Sequence, residues 1–176
     1  TLPKIRKVLR GQEGLIEQAN YNTDGTRIVT VSDYSVLLWD AEGQLIARLG
    51  EEGEVNYWQF ANFSPDGTRV ATTSNDGAVR LWDAGNGDLL TTLAGHTGEI
   101  GAVSFSPDGT RIVTASRDGT ARLWGVEGDL IAILSHSEPV ARASFNQTGT
   151  RILTLAASGN TATALLWNAD GNFITV

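Results

Sequence analysis

Apolar and polar side chains alternate in short runs along this chain, and no stretch shows apolar spacing at i, i+3, i+4 over a helical length. Ala102-Val103-Ser104-Phe105 alternates, and Ser106-Pro107-Asp108-Gly109 follows, with a proline that fixes φ and a glycine that accepts positive φ. That pattern predicts a strand ending in a hairpin turn. Next come Arg111-Ile112-Val113-Thr114-Ala115-Ser116, the polar hinge Arg117-Asp118-Gly119, the β-prone run Thr120 to Trp124, a Glu127-Gly128 turn, and Leu130 to Leu134. The predicted unit is an all-β meander of four antiparallel strands, A to D.

The unit recurs. Leu38-Trp39, Leu81-Trp82, Leu123-Trp124 and Leu166-Trp167 follow one another at steps of 43, 42 and 43 residues. Asp24-Gly25-Thr26-Arg27, Asp66-Gly67-Thr68-Arg69 and Asp108-Gly109-Thr110-Arg111 keep a 42-residue step, and Gly149-Thr150-Arg151 lies 40 residues after the third. Two markers in one period describe an array of units that cannot bury their apolar faces singly. Short four-stranded units with two apolar faces suit blades packed face to face around an axis, whereas a sandwich predicts no such recurrence. The strand C tryptophans, with Phe63, Phe105 and Phe145 on strand A, are then packing residues between units. The boundaries read as an extra outer strand D of a preceding blade at 1–11, then blades at 12–49, 50–93, 94–134 and 135–176, in one propeller domain.

The composition agrees with a compact domain, since 176 residues with 41% apolar content suffice to bury roughly 70% of the unfolded surface. Thirteen cations against 20 acids give a net charge of −7, which argues against nucleic acid as a partner. Without cysteine there is no disulfide, thiolate metal site or thiol nucleophile. No apolar run is long enough to span a bilayer, and the opening TLPKIRKVLR lacks the apolar core of a secretion signal, so the expected setting is cytoplasmic. The lack of any methionine suggests a chain that was processed or cut from something longer.

The motifs resemble those of the WD-repeat β-propeller family: Gly95-His96 opens a unit, Ser-Pro-Asp-Gly joins strands A and B, and Leu81-Trp82-Asp83 closes strand C. The resemblance covers almost the whole chain. It implies a hydrogen-bonded structural tetrad, which by position is His96, Thr114, Asp118 and Trp124 in unit three. Unit two keeps Thr72, Asp76 and Trp82 but has Glu51 in place of the histidine. Unit one keeps Thr30, Asp33 and Trp39, with Gln12 after Gly11 and one hinge residue fewer. Unit four has His136 and Trp167, but its hinge is lengthened through Ala157-Ser158-Gly159-Asn160 and lacks the aspartate.

Departures from the repeat speak more directly to function, because packing accounts for what recurs. Val55 to Phe63 spans three residues more than Ile100 to Phe105, which places an insertion within residues 56–62 that carries Tyr57 and Trp58. Aromatic residues there suit a partner anchor on the edge formed by the D–A and B–C connections. Tyr34, Arg117 and Arg142 map to the same rim. Residues 5–11 align with 89–95, so the chain opens with a strand D of a preceding unit and also closes in one, at Phe173 to Val176. Lys4, Arg6, Lys7 and Arg10 on that opening strand suit protection of a sheet edge.

Four units with the shallow wedge of long arrays make half a ring with an apolar face open at each end. Two copies joined head to tail then close an eight-bladed homodimer; the alternatives are a four-bladed closed monomer or a piece of a longer array. Functionally the chain reads as a non-enzymatic scaffold for a protein or peptide, with no cofactor and no metal, since no phosphate loop, nucleophile elbow or zinc motif occurs. Two other readings stand beside it. One is a carbohydrate-binding propeller using the acidic Glu51, Glu52 and Glu54; the other is a fragment or engineered assembly whose only ligand is itself.

Overall fold

A computed structural model describes residues 8–50, 58–159 and 161–174. Fifteen strands form four antiparallel sheets in chain order. Blade 1 is β1 (Ile16–Tyr21), β2 (Arg27–Ser32), β3 (Ser35–Asp40) and β4 (Leu45–Leu49). Blade 2 is β5 (Trp58–Phe63), β6 (Arg69–Ser74), β7 (Val79–Asp83) and β8 (Leu89–Leu93). Blade 3 is β9 (Ile100–Phe105), β10 (Arg111–Ser116), β11 (Thr120–Gly125) and β12 (Leu130–Ser135). Among the described residues blade 4 has three strands, β13 (Val140–Phe145), β14 (Arg151–Ser158) and β15 (Thr161–Asn168). Of the strand D expected at Phe173 to Val176, Phe173 bridges Trp167 and the Ile174 backbone N–H donates to the Leu166 carbonyl at 2.9 Å, while residues 175–176 lie outside the described residues.

Strand B of each inner unit is an almost unbroken run of small and β-branched residues, because both its faces are covered. Val29 and Val31 of β2, with Val36, Leu38 and Leu49, pack on Ala61, Val70 and Trp82 of blade 2. Ala71, Val79, Leu81 and Leu93 meet Ile100, Val103, Ile112 and Trp124 in the same way. Val113, Ala115, Ala121, Leu123 and Leu134 meet Val140, Ala143, Ile152 and Trp167. Each blade thus offers a trailing aliphatic face to the leading tryptophan face of the next. Complete burial of each large aliphatic side chain contributes about 1.5–3 kcal/mol, so the three seams hold the array together.

The Asp-Gly-Thr-Arg marker does two jobs. Its aspartate closes the A–B turn: in blade 2 the Asp66 carboxylate accepts the Thr68 backbone N–H at 3.1 Å and the Thr68 hydroxyl at 2.9 Å. The Asp108 carboxyl is held at about 2 by the Ser106 hydroxyl, the Thr110 N–H and the Thr110 hydroxyl. The arginine reaches forward into the following blade. Arg27 donates to the Ala84 carbonyl at 3.1 Å, Arg69 to the Val126 carbonyl at 3.0 Å, and Arg111 to the Ala169 carbonyl. Each acceptor lies two residues beyond the strand C tryptophan, so one clamp repeats at all three seams.

Two sequence expectations are corrected. The extra residues of unit two do not interrupt strand A, because Trp58 pairs with Ser74 as Ile100 pairs with Ser116. The backbone of Trp58 therefore takes the register of Ile100, and Val55 lies outside the described residues. In blade 1 the shortened hinge leaves Asp33-Tyr34 as the tip of a two-residue hairpin closed by the Ser32–Ser35 pair. That geometry keeps Asp33 out of the expected tetrad position.

Candidate functional site

Four side chains from separate elements meet inside blade 3. The indole N–H of Trp124 donates to the Thr114 hydroxyl oxygen at 3.0 Å, and that hydroxyl lies 2.7 Å from Nε2 of His96. Nδ1 of His96 lies 2.8 Å from the Asp118 carboxylate, which also accepts the Thr97 N–H, the Thr120 N–H and the Thr120 hydroxyl. Burial pushes the Asp118 carboxyl up, but these bonds together outweigh it and hold the group at about 2. Burial lowers the His96 pKa, against the opposing pull of Asp118. A neutral imidazole beside an ionised carboxylate fixes the proton order. His96 Nδ1–H donates to Asp118, Thr114 O–H donates to Nε2, and the Trp124 N–H donates to Thr114 oxygen.

Acid, imidazole and hydroxyl in this order have the sequence of a hydrolytic triad. Thr114 is fully buried beneath Trp124, however, and its proton is already committed. No carbonyl can approach it, so the arrangement braces strands B and C against the D–A connection.

The other blades carry variants. In blade 1 the Gln12 amide substitutes for the imidazole: its oxygen accepts from Thr30, and its nitrogen donates to the Ser32 hydroxyl at 3.1 Å and the Ser35 carbonyl at 2.8 Å. Trp39 donates to Thr30 at 2.9 Å. In blade 2 Trp82 donates to Thr72 at 2.8 Å, while Asp76 turns to the Ser74 hydroxyl and to Arg80 at 2.7 Å. Glu51 lies outside the described residues. In blade 4 Trp167 donates to Thr154 at 2.8 Å, but the buried Nε2 of His136 has no hydrogen-bond partner among the described residues.

The rim is a separate feature. A cavity of about 850 Å³ is bounded by residues near the start of all four inner strands, by Arg117 of the blade 3 hinge and by Ala157, which with Ser158 belongs to β14 and not to the lengthened hinge expected in unit four. Glu17 and Gln18 of blade 1 face Ala157 of blade 4 across it, with Phe60, Val140 and the Glu99–Arg117 ion pair between them. Gln18 fixes the inner edge of β5, donating to the Ala61 carbonyl at 2.9 Å and accepting the Ala61 N–H at 3.2 Å. Arg142 borders a second cavity of about 490 Å³ with Phe60, Asn62, Leu153 and Leu155.

Of the rim residues expected from sequence, Arg117 and Arg142 thus reach cavities that share Phe60. Tyr34 sits instead in the blade 1 hairpin against Gly14, where its carbonyl accepts from Arg48 at 3.2 Å. Tyr57, with Glu52 and Glu54, lies outside the described residues, and Trp58 is placed by its backbone alone. Phe60, Glu17 and Glu99 were not singled out by sequence. They occupy ordinary strand A positions or strand ends, and only tertiary placement gathers them. Among the described residues, no group of three or more histidine and carboxylate side chains is arranged to hold a metal ion.

A family model described as WD domain, G-beta repeat, matches residues 3–40, 43–83 and 87–125, more than half of the chain. The matched segments stop before blade 4, whose Trp167–Thr154 bond and order of strands A to C are nonetheless those of the other three. No curated protein matches the chain.

Proposed function

We propose that this chain, which belongs to the WD domain, G-beta repeat family, holds a protein or peptide partner on the face where its D–A and B–C connections emerge. Domains of this family are generally protein-interaction scaffolds and typically non-catalytic. The observation that carries the reading is the 850 Å³ cavity bounded by all four inner strands. It combines an exposed aromatic ring, Phe60, with the acidic Glu17 and Glu99 and the cationic Arg117, a mixture suited to an anchor residue flanked by polar contacts.

A random peptide library displayed on phage and selected against the protein tests this. The selected peptides should bind Phe60→Ser and Arg117→Glu at least about tenfold more weakly, and Tyr34→Ala unchanged. Failure to select any peptide, or equal binding to both cavity variants, would overturn the proposal.

The scaffold is further proposed to self-associate into a closed eight-bladed homodimer. Support comes from the two ends of the array, since among the described residues no strand of blade 4 packs on blade 1 as successive blades pack on each other. Light scattering at micromolar concentration should return about twice the 18.7 kDa chain mass. The chain mass itself would refute the dimer.

A further inference from the structure

Strand A keeps one register in every blade, so its side chains can be compared level by level. Gln18, Phe60, Ala102 and Arg142 occupy one level, paired with Val31, Thr73, Ala115 and Leu155, and Asn20, Asn62, Ser104 and Ser144 occupy the next. In blade 1 both levels are committed, because Gln18 and Asn20 bond the Ala61 backbone of the next blade. Blades 2 and 4 differ. The side chains of Asn62, Arg142 and Ser144 make no hydrogen bond or ion pair among the described residues, and Arg142 and Ser144 are exposed.

These three groups border the 490 Å³ cavity, whose other walls include the apolar Phe60, Val103, Leu153 and Leu155. Leu153 and Leu155 are 43% and 38% exposed, whereas Val113 and Ala115, their counterparts in blade 3, are fully buried against blade 4. An apolar pocket with a few convergent polar groups has the form of a ligand site, and its volume lies in the usual range of about 300–1,000 Å³.

The polar groups decide the charge of the ligand. The guanidinium offers donors only, the amide and hydroxyl can each add a donor, and no carboxylate borders the cavity. An anion is favoured, and among anions a carboxylate, whose two oxygens match the planar guanidinium fork. The group beside that carboxylate must be apolar, to face Phe60, Leu153 and Leu155. The last residue of a peptide carries both features on one Cα.

The course of the rest of such a peptide follows from the neighbouring cavity. The two cavities share Phe60 and Gly101, and the larger lies nearer the start of the inner strands, where the D–A and B–C connections emerge. Glu17 borders only the larger one; it is exposed, and its carboxylate has no partner among the described residues. The groove therefore offers an unpaired acid at its mouth and an unpaired cation at depth. That order complements a peptide running from a basic residue to a terminal carboxylate.

We infer that the smaller cavity holds the C-terminal residue of the partner peptide, apolar in side chain, with its carboxylate on Arg142 and the preceding residues passing Phe60 into the larger cavity. This rests on the peptide reading of the larger cavity and names the part of the partner that is recognised. Leu153 and Leu155 also lie on the face that a second copy would cover, so the terminus competes with self-association.

The probe is a random peptide library displayed with free C-termini, selected on protein attached sparsely to a surface so that no second copy competes. The selected peptides should end in an apolar residue. Synthesised as C-terminal amides, they should bind at least about tenfold more weakly than as acids, through loss of a charge-assisted contact. Arg142→Gln should weaken the acid by a similar factor and leave the amide unchanged, whereas Leu155→Thr should weaken both. Circular dichroism spectra should be unchanged in the two variants, since both side chains are exposed. Equal binding of acid and amide, both weakened by Phe60→Ser, would overturn the terminal carboxylate and leave the peptide reading standing. No peptide selected from libraries with free N- or C-termini would overturn both readings, and Arg142-dependent binding of decanoate would then assign the cavity to a fatty acid.

Discussion

Replacing Thr114 by valine keeps the volume of a fully buried side chain and removes one oxygen. That oxygen serves two buried partners, the Trp124 indole at 3.0 Å and His96 Nε2 at 2.7 Å. Both would be left without a partner in a site closed to water, at about 1–3 kcal/mol for each unsatisfied group. The expected cost is therefore ~2–6 kcal/mol. Thr154→Val in blade 4 orphans only the Trp167 indole, bonded at 2.8 Å, because His136 Nε2 has no partner among the described residues. Its cost should be about 1–3 kcal/mol, half that of Thr114→Val. Urea unfolding followed by tryptophan fluorescence measures both, and with a slope of about 1–3 kcal/mol per molar urea the two midpoints should differ by roughly 1 M. A double-mutant cycle of Thr114→Val with Trp124→Phe should recover part of the loss, since the second change removes an orphaned donor. Equal destabilisation by the two threonine variants, or a strictly additive cycle, would refute the view that hydrogen-bond satisfaction stabilises the tetrad.

Acid should weaken blade 3 in two windows. The lowered pKa of His96 gives stability that is complete above its unfolded value near 6.5 and declines as pH falls below it; the Asp118 carboxyl, held at about 2, adds stability present above 3.8 and lost between 3.8 and about 2. Thermal melts from pH 7 to pH 3 should show the first loss disappear in His96→Gln. Gly87→Ala should cost more than ~2 kcal/mol, since φ there is +81° and the added carbon would lie 2.2 Å from the Cβ of Ala47, whereas Gly25→Ala, at φ +74° with nothing within 4 Å, should cost only about 1 kcal/mol. Similar melting temperatures for those two glycine variants would show that the Gly87 contact relaxes freely.

What could be read from sequence was what each unit states within itself. The meander and the tryptophan register depend on residue types at fixed spacing inside one repeat, and the His96–Thr114–Asp118–Trp124 set is what the resemblance to the WD-repeat family implies at those positions. The forward clamp was not legible, because Arg27, Arg69 and Arg111 bind backbone carbonyls and the residues supplying them, Ala84, Val126 and Ala169, carry no side-chain signal. The Trp58 register was misplaced for a related reason. Val55 resembles Ile100 chemically, but the ladder to Ser74 decides which residue begins the strand. Gln12 shows the converse, since its amide both accepts and donates and so covers part of the role of an imidazole through chemistry that differs from the repeat pattern. Phe60 and Glu17 join one cavity only after four separate inner strands have been brought together.

The forward reach of the Asp-Gly-Thr-Arg arginine gives the array a growing end. Each bond spans 57 or 58 residues, more than one repeat length, so a blade's arginine finds its acceptor only after the next strand C has left the ribosome. A newly duplicated unit inserted anywhere would satisfy the arginine before it and present one of its own to the unit after it. The number of waiting arginines is then independent of the number of blades. Lengthening by duplication creates no new mismatch, and a chain built this way can change its blade count while every junction keeps the same chemistry.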